Sequence, residues 1–257
     1  MCNPAGKEPM LRNELENYLH QLLDTARFQD YCPNGLQVEG RDRIEKIITG
    51  VTASLELLKA AITHEADAVI VHHGYFWRGE NPCITGIKHR RIALLMQHRI
   101  NLFAYHLPLD IHPELGNNVQ LAKRLGFIEN DRFGEQNIVV RGELKETMPL
   151  RALGAKITQA LGREPQIIGN PDHAVRQLAW CTGAAQGYFE AAIAQNVDAY
   201  LTGEISEQTV HAARESGVAF IAAGHHATER YGVQALGEHL ADRFGIQHQF
   251  IDIDNPV

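Results

Sequence analysis

The chain has 257 residues, of which 44% are hydrophobic and 21% charged, and its formal net charge is −7. This composition is that of a globular protein with ample core, and the negative charge argues against a general nucleic-acid surface. No segment reaches the roughly 18 consecutive apolar residues that a membrane span requires, and the 4 cysteines form no CxxC pair. We therefore predict a cytoplasmic protein with no membrane partner.

Segments with helical and strand periodicity alternate along the first half of the chain. Leucines from Leu11 to Leu23 recur at helical spacing, and Ser54 is suited to cap a helix after an apolar strand at 46–52. The same alternation predicts a buried strand at 68–71, a loop at 74–86, a helix at 87–98, a strand at 101–105 and a helix at 115–126. Such a pattern is typical of α/β architecture with a largely parallel sheet.

The second half of the chain repeats the first. Residues 197–201 match 66–70 at a shift of 131, and 240–246 match 121–127 at a shift of 119. We therefore predict an α/β fold of two similar lobes that arose by internal duplication. The first lobe would occupy residues 1–127 and the second 128–257, with the repeat clearest from 178 and with terminal elements free to exchange between lobes.

A pair of adjacent histidines follows the buried strand at 68–71. Side chains of neighbouring strand residues point to opposite faces, so we expect His72 and His73 to share one centre only where the strand stops. Gly74 would supply the backbone freedom for that turn. The competing interpretation is a pair of histidines that caps the strand and bonds to the nearest loop.

Two further histidines follow apolar strands, and each precedes a carboxylate by four residues: His106 with Asp110, and His225 with Glu229. In a helix this separation places both side chains on one face. Pro108 favours an extended or turn geometry in the first copy, whereas the second copy can continue as a helix.

Three histidine clusters at strand ends favour a metal site over unrelated surface pairs. Ligands of open α/β sheets collect at the carboxyl ends of the strands. Imidazole and carboxylate donors together suit Zn, Mn, Fe, Co or Ni, whereas Ca and Mg prefer oxygen alone. A carboxylate that bridges two ions would permit two-metal hydrolysis.

An aromatic run, Tyr75, Phe76 and Trp77, comes directly after the histidine pair. These rings are candidates to line a substrate pocket and stack on a flat ligand. Packing in the core or against another subunit is an equally good interpretation.

Several motifs in combination resemble the YbgI-like branch of the Nif-three-like family, whose members are often labelled GTP cyclohydrolase 1 type 2 homologues. The resemblance runs from about Leu11 to Asp254. The motifs that carry it are Asp30-Tyr-Cys-Pro-Asn-Gly-Leu-Gln-Val-Glu39, Val69-Ile-Val-His-His-Gly-Tyr-Phe-Trp77, His106-Leu-Pro-Leu-Asp110, His112-Pro-Glu-Leu-Gly-Asn117, Thr202-Gly-Glu204 and Gly224-His-His-Ala-Thr-Glu229.

The resemblance implies a dinuclear metal centre between the two lobes and a toroidal homohexamer, a trimer of dimers. The family's ligands correspond to His72, His73, Asp110, His225 and Glu229, with Glu229 as the expected bridge. Three further residues do not correspond to ligands, and we expect them to support the ligands or to transfer protons: His106, His226 and Glu204.

The leading functional hypothesis is a dinuclear metal-dependent hydrolase acting on a small, nucleotide-like substrate, with two divalent ions as cofactors. The alternative is a metal-binding chaperone or metal-homeostasis protein without turnover, since richness in histidine suits that role equally well. A ring-shaped interaction module with a structural metal is a third class.

Overall fold

The structure is a computed structural model that describes residues 9–257. It divides into two compact units, one of residues up to 109 with 233–253 and the other of residues 110–232 with 254–257. Residues 233–253 belong to the first unit and 110–127 to the second, whereas the sequence predicts a boundary between 127 and 128 with terminal elements free to exchange between the lobes. Residues 1–8 of the predicted first lobe lie outside the described part.

Strands and helices alternate through most of the described chain. The strands are β1 Met10–Leu11, β2 Gly35–Val38, β3 Arg43–Ile44, β4 Lys46–Thr52, β5 Ala68–His73, β6 Asn101–Ala104, β7 Phe127–Phe133, β8 Val139–Pro149, β9 Gln166–Ile168, β10 Ala174–Trp180, β11 Ala199–Thr202, β12 Ala219–Ala222 and β13 Gln247–Phe250. The α-helices are α1 Arg12–Leu22, α2 Leu55–Thr63, α3 Gly86–His98, α4 Leu107–Ile111, α5 Asn117–Leu125, α6 Leu150–Leu161, α7 Phe189–Ile193, α8 Glu207–Ser216 and α9 His225–Phe244. Among the described residues, no helix combines the length and apolar composition needed to cross a bilayer.

The sheet of the first unit has the strand order β13-β4-β5-β6-β2. Its first four strands are parallel, and only β2 runs antiparallel to its neighbour. Strands β4 and β5 are apolar almost throughout because helices cover both faces of such a sheet. Ser54 caps α2 as predicted, since its Oγ accepts a hydrogen bond from the Leu57 N–H at 3.2 Å.

The sheet of the second unit has the order β7-β8-β10-β11-β12-β9, and β10, β11 and β12 are parallel. Strand β7 was not predicted, because its sequence, FIENDRF, is largely polar and its middle residues are exposed. It forms at the edge of the sheet through pairing with β8, and such edge strands depend on their neighbour more than on intrinsic preference.

The strand registers support the internal duplication. Ile47 on β4 pairs with Ala68 on β5. Leu178 and Ala199, their counterparts at the shift of 131, pair in the same way on β10 and β11. The next strands, β6 and β12, are related by a slightly different shift. Ala68 pairs with Asn101 on β6 and Ala199 pairs with Ala219 on β12, so Asn101 corresponds to Ala219 at a shift of 118. The predicted shift of 119 therefore holds only beyond that strand.

Two aspartates at equivalent positions accept the same pair of backbone hydrogen bonds in the two units. Asp67 Oδ2 accepts hydrogen bonds from the backbone N–H groups of residues 45 and 46, at 2.8 and 2.9 Å. Asp198 Oδ2 accepts from those of residues 176 and 177, both at 2.8 Å. Asp67, just before β5, therefore binds backbone at the start of β4, and Asp198, just before β11, binds backbone within β10.

Helix α4 corrects one prediction. Pro108 favoured extended or turn geometry after His106, but residues 107–111 are helical. Proline is tolerated in the first turn because the N–H that it lacks has no partner within the helix there. Asp110 therefore lies on a helix.

Candidate metal-binding residues

Three imidazoles converge within the first unit. The ligand atoms of His72, His73 and His106 all lie within 4.8 Å of one another. His72 is fully buried, and its Nδ1 donates a hydrogen bond to the carbonyl oxygen of Tyr105 at 2.9 Å. Since a carbonyl only accepts, this bond places the proton on Nδ1 and makes Nε2 the atom that can bind a metal.

Strand β5 extends two residues beyond the predicted range of 68–71 and ends at His73, so the histidine pair occupies the end of the strand. Thr52 on β4 pairs with His73 on β5, and the Thr52 Oγ1 lies 3.2 Å from the His73 Nδ1. The rings of His72 and His73 are nevertheless close, with centroids 4.6 Å apart.

Gly74 is required by close packing. A Cβ at this position would collide with the side chain of Gln37 and with the Cβ of Ala104. The prediction that Gly74 supplies turn freedom is wrong, because its φ is not among the positive values of the chain.

His106 is held by Asp30, an aspartate with a covered side chain that the sequence did not single out. Asp30 Oδ1 lies 2.7 Å from His106 Nδ1 and accepts from the Tyr31 N–H, and Oδ2 accepts from the Asn34 side chain and the Leu107 N–H. Burial raises the pKa of this carboxyl, but the bonds to His106 and Asn34 outweigh it and lower the pKa to about 2. Asp30 therefore holds the Nδ1 edge of the His106 imidazole.

Of the three predicted aromatic pocket residues, Trp77 lies beside the imidazoles. Trp77 has its ring centroid 4.9 Å from that of His106 and 5.9 Å from that of His73. Tyr75 is buried and donates its hydroxyl hydrogen to the Ala53 carbonyl, which identifies it as a packing residue. The Lys88 ammonium lies 5.5 Å from the ring centroid of Phe76.

The second unit places His225 between two carboxylates. Its Nδ1 lies 2.6 Å from Glu204 Oε1, and its Nε2 lies 3.1 Å from Glu229 Oε2, one turn along α9. Burial lowers the pKa of His225, but its bonds to Glu229 and Glu204 outweigh this effect and raise the pKa to about 9. The two neighbouring carboxylates therefore favour the protonated form of this imidazole.

Asp110 is buried in the same unit and is held by neutral donors. Its Oδ1 accepts hydrogen bonds from the Asn117 side chain at 2.9 Å and from the Thr182 hydroxyl at 3.2 Å. Burial raises the pKa of the Cys181 thiol well above its ordinary value, and the negative charges of Asp110 and Glu229 raise it further. His226 is also buried, and its backbone N–H donates to the Val257 carbonyl.

The geometry around Gly183 tests whether these residues suit a metal ion. Gly183 has a φ of +71°, and a Cβ there would collide with the Glu229 carboxylate and lie 3.3 Å from His225 Nε2. The missing side chain therefore leaves room beside two donor atoms. Imidazole and carboxylate donors suit divalent transition metals, so the residues fit such an ion.

Several residues that support the site were missed because their roles depend on tertiary contacts. Asp30 was quoted only as part of a motif, and its spacing to His106 gives no periodic signal. Gly183 could have been found from the repeat, because the shift of 131 aligns it with Thr52, which contacts the histidine pair of the first copy.

Comparison with known proteins identifies relatives along almost the whole chain. The model of the Duf34/NIF3 family (NGG1p interacting factor 3) matches residues 10–256. A GTP cyclohydrolase 1 type 2 homolog of Pseudomonas aeruginosa is 60% identical over 239 residues, covering 91% of this chain and 94% of that protein. One from Haemophilus influenzae is 55% identical over 247 residues, covering 95% and 98%.

Solved structures with the same fold are also similar in sequence. Protein ybgI, described as of unknown function, has a TM-score of 0.93 at 49% identity and covers 96% of this chain and 100% of its own. TTHA1606 from Thermus thermophilus has a TM-score of 0.87 at 35% identity, with the same coverage. These matches confirm the predicted resemblance and the α/β fold.

Proposed function

Because the chain belongs to the Duf34/NIF3 family, we propose that it is a metal-dependent hydrolase acting on a small, nucleotide-like substrate. The proposed ligands of two divalent ions are His72, His73, Asp110, His225 and Glu229, with Glu229 as the bridge. Support for a nucleotide-like substrate comes from the names of relatives at 50–60% identity, which are called GTP cyclohydrolase 1 type 2 homologues.

The observation that carries this proposal is the convergence of three imidazoles in the first unit. Protonated imidazoles repel one another at such short distances, whereas neutral imidazoles are common metal ligands. His72 already has the hydrogen bond to a backbone carbonyl that characterises metal-bound histidine. The expected ions are Zn, Mn, Fe, Co or Ni.

Bound divalent ions would polarise the substrate and lower the pKa of water. In hydrolysis the oxygen of water bonds to the electrophilic atom, a proton of that water passes to a base, and the leaving group takes up a proton as its bond breaks. His106 is the proposed base, and it would act through Nε2 because Nδ1 is paired with Asp30. His226 remains a second candidate for proton transfer.

The test is a turnover assay of the metal-free protein reloaded with each metal in turn, against a panel of nucleotides. We expect metal-dependent hydrolysis that is lost in His225→Ala and retained in His211→Ala, since His211 pairs with Glu207 on the exposed surface of α8. Activity that survives complete removal of metal would contradict the proposal. Release of metal to a mild chelator within minutes, without turnover, would favour the metal-chaperone alternative.

We also propose that the chain forms a homohexamer, a trimer of dimers, as the family resemblance implies. Support comes from large apolar side chains exposed on α3 and the loop before it, namely Ile84, Ile87 and Met96. Light scattering should give six times the mass of one chain.

The described cysteines are free thiols, which is typical of a reducing compartment and supports a cytoplasmic location.

A further inference from the structure

We propose that Glu204 is a positioning residue, which fixes the ring of His225 so that Nε2 is the nitrogen offered to a metal. This inference rests on the proposed function, because it assumes that His225 is a ligand. It adds a residue that controls how tightly the ion is held.

The contacts of His225 define its ring orientation. Glu204 lies in the loop after β11, and its Oε1 is 2.6 Å from Nδ1 of the imidazole. Glu229 lies 3.1 Å from Nε2. A flip of the ring would replace both nitrogens with carbons and lose both bonds, so Glu204 holds the only orientation in which Nε2 is directed toward Glu229.

The position of Glu204 is itself held by a neighbour. The Gln186 amide nitrogen lies 3.5 Å from Glu204 Oε2, the oxygen that does not contact His225, at the outer limit of a hydrogen bond. The two oxygens of Glu204 therefore have different partners. This arrangement restricts rotation of the carboxylate and keeps Oε1 directed at the imidazole.

The internal duplication supports a role distinct from ligation. The shift of 131 aligns Glu204 with His73 and Gly183 with Thr52. In the first unit the Thr52 hydroxyl contacts the His73 ring. In the second unit the equivalent glycine provides no side chain, and the ring that Glu204 contacts is that of His225. The duplicated position therefore carries a proposed ligand in one unit and a carboxylate that orients a ligand in the other.

A carboxylate on the far nitrogen affects a metal-bound histidine in two ways: it fixes the tautomer and raises the basicity of the ligating nitrogen. Loss of such a partner typically weakens metal affinity by roughly 10- to 100-fold. Since the Glu204 side chain is 33% exposed, its substitution should leave the fold of the second unit intact.

The test measures cobalt(II) affinity by chelator competition and the visible absorption of the cobalt-loaded protein. Glu204→Ala should weaken the affinity roughly 10- to 100-fold and change the absorption, because the ring is free to turn. Glu204→Gln should recover most of the affinity, since the amide oxygen accepts the same bond from Nδ1. Glu204→Asp, which withdraws the carboxylate by one methylene, should weaken binding and is the second variant if the alanine variant does not fold.

Glu207→Ala is the matched control, because Glu207 also contacts a histidine, His211, at 3.0 Å but on the exposed face of α8. It should bind cobalt as the wild type does. Wild-type affinity and absorption in both the alanine and aspartate variants would overturn the role of Glu204 while leaving the proposed function intact. A glutamine variant as weak as the alanine variant would also overturn it. Failure of the wild-type protein to bind cobalt would overturn both.

Discussion

Substitution of Gly183 by alanine adds only one methyl group but should lower both the free energy of unfolding and the metal affinity. Gly183 has a φ of +71°, and its absent Cβ leaves room for the carboxylate of Glu229 beside His225. A methyl group there would displace Glu229 from its 3.1 Å contact with His225. The substitution therefore combines backbone strain with the loss of a partly buried ion pair.

The two costs can be separated by magnitude. A non-glycine residue in the left-handed region costs roughly 1–2 kcal/mol. A hydrogen bond to a charged group contributes about 1.5–3 kcal/mol, so the free energy of unfolding should fall by about 2.5–5 kcal/mol in total. If Glu229 is a ligand, a displacement that costs 1.4 kcal/mol of binding energy lowers metal affinity about tenfold.

Gly162→Ala is the matched control, because Gly162 has nearly the same φ, +69°, with open space where its Cβ would lie. Urea unfolding of the metal-free proteins and zinc affinity by chelator competition give the two readouts. We expect Gly162→Ala to lose only the strain energy and no metal affinity. Equal stability and equal zinc affinity of the two variants would refute the contact between Gly183 and Glu229.

Two further predictions concern aspartates that fix the framework. Asp30 has a pKa of about 2, below its ordinary 3.8, so its stabilisation, about 2 kcal/mol, is complete above about pH 5 and is lost progressively as the pH falls through the folded pKa. Asp30→Asn should therefore be less stable than the wild type in urea unfolding at pH 7, and a difference that does not shrink toward pH 2 would contradict this. Asp198→Ala removes two hydrogen bonds to β10, so its free energy of unfolding, measured by thermal unfolding, should fall by about 2 kcal/mol with no change in metal affinity. Asp198→Asn keeps an acceptor oxygen and should lose less stability.

The sequence predicts the parallel strands and the histidines because both depend on local pattern. Buried strands such as β5 are continuous apolar segments, and the histidines stand where such segments end. The repeat at a shift of 131 is visible without structure, and the pairing of β10 with β11 follows it. These features need only periodicity and composition.

The remaining features depend on contacts between distant residues. Strand β7 is polar and exists through its pairing with β8. Strand β13 pairs with β4, although the two are about 200 residues apart in the sequence, and residues 233–253 therefore belong to the first unit. The close packing that requires Gly74, and the bond between Asp30 and His106, likewise have no local signature.

The most direct test of the proposed metal centre is the number of metal ions held by each purified chain. Elemental analysis after dialysis should find two transition-metal ions per chain in the wild type and in the His211→Ala control. Glu229→Ala should retain neither ion tightly, because the proposed bridge is lost. A Glu229→Ala protein that keeps both ions, or a wild-type protein that binds none when reloaded, would contradict the dinuclear centre.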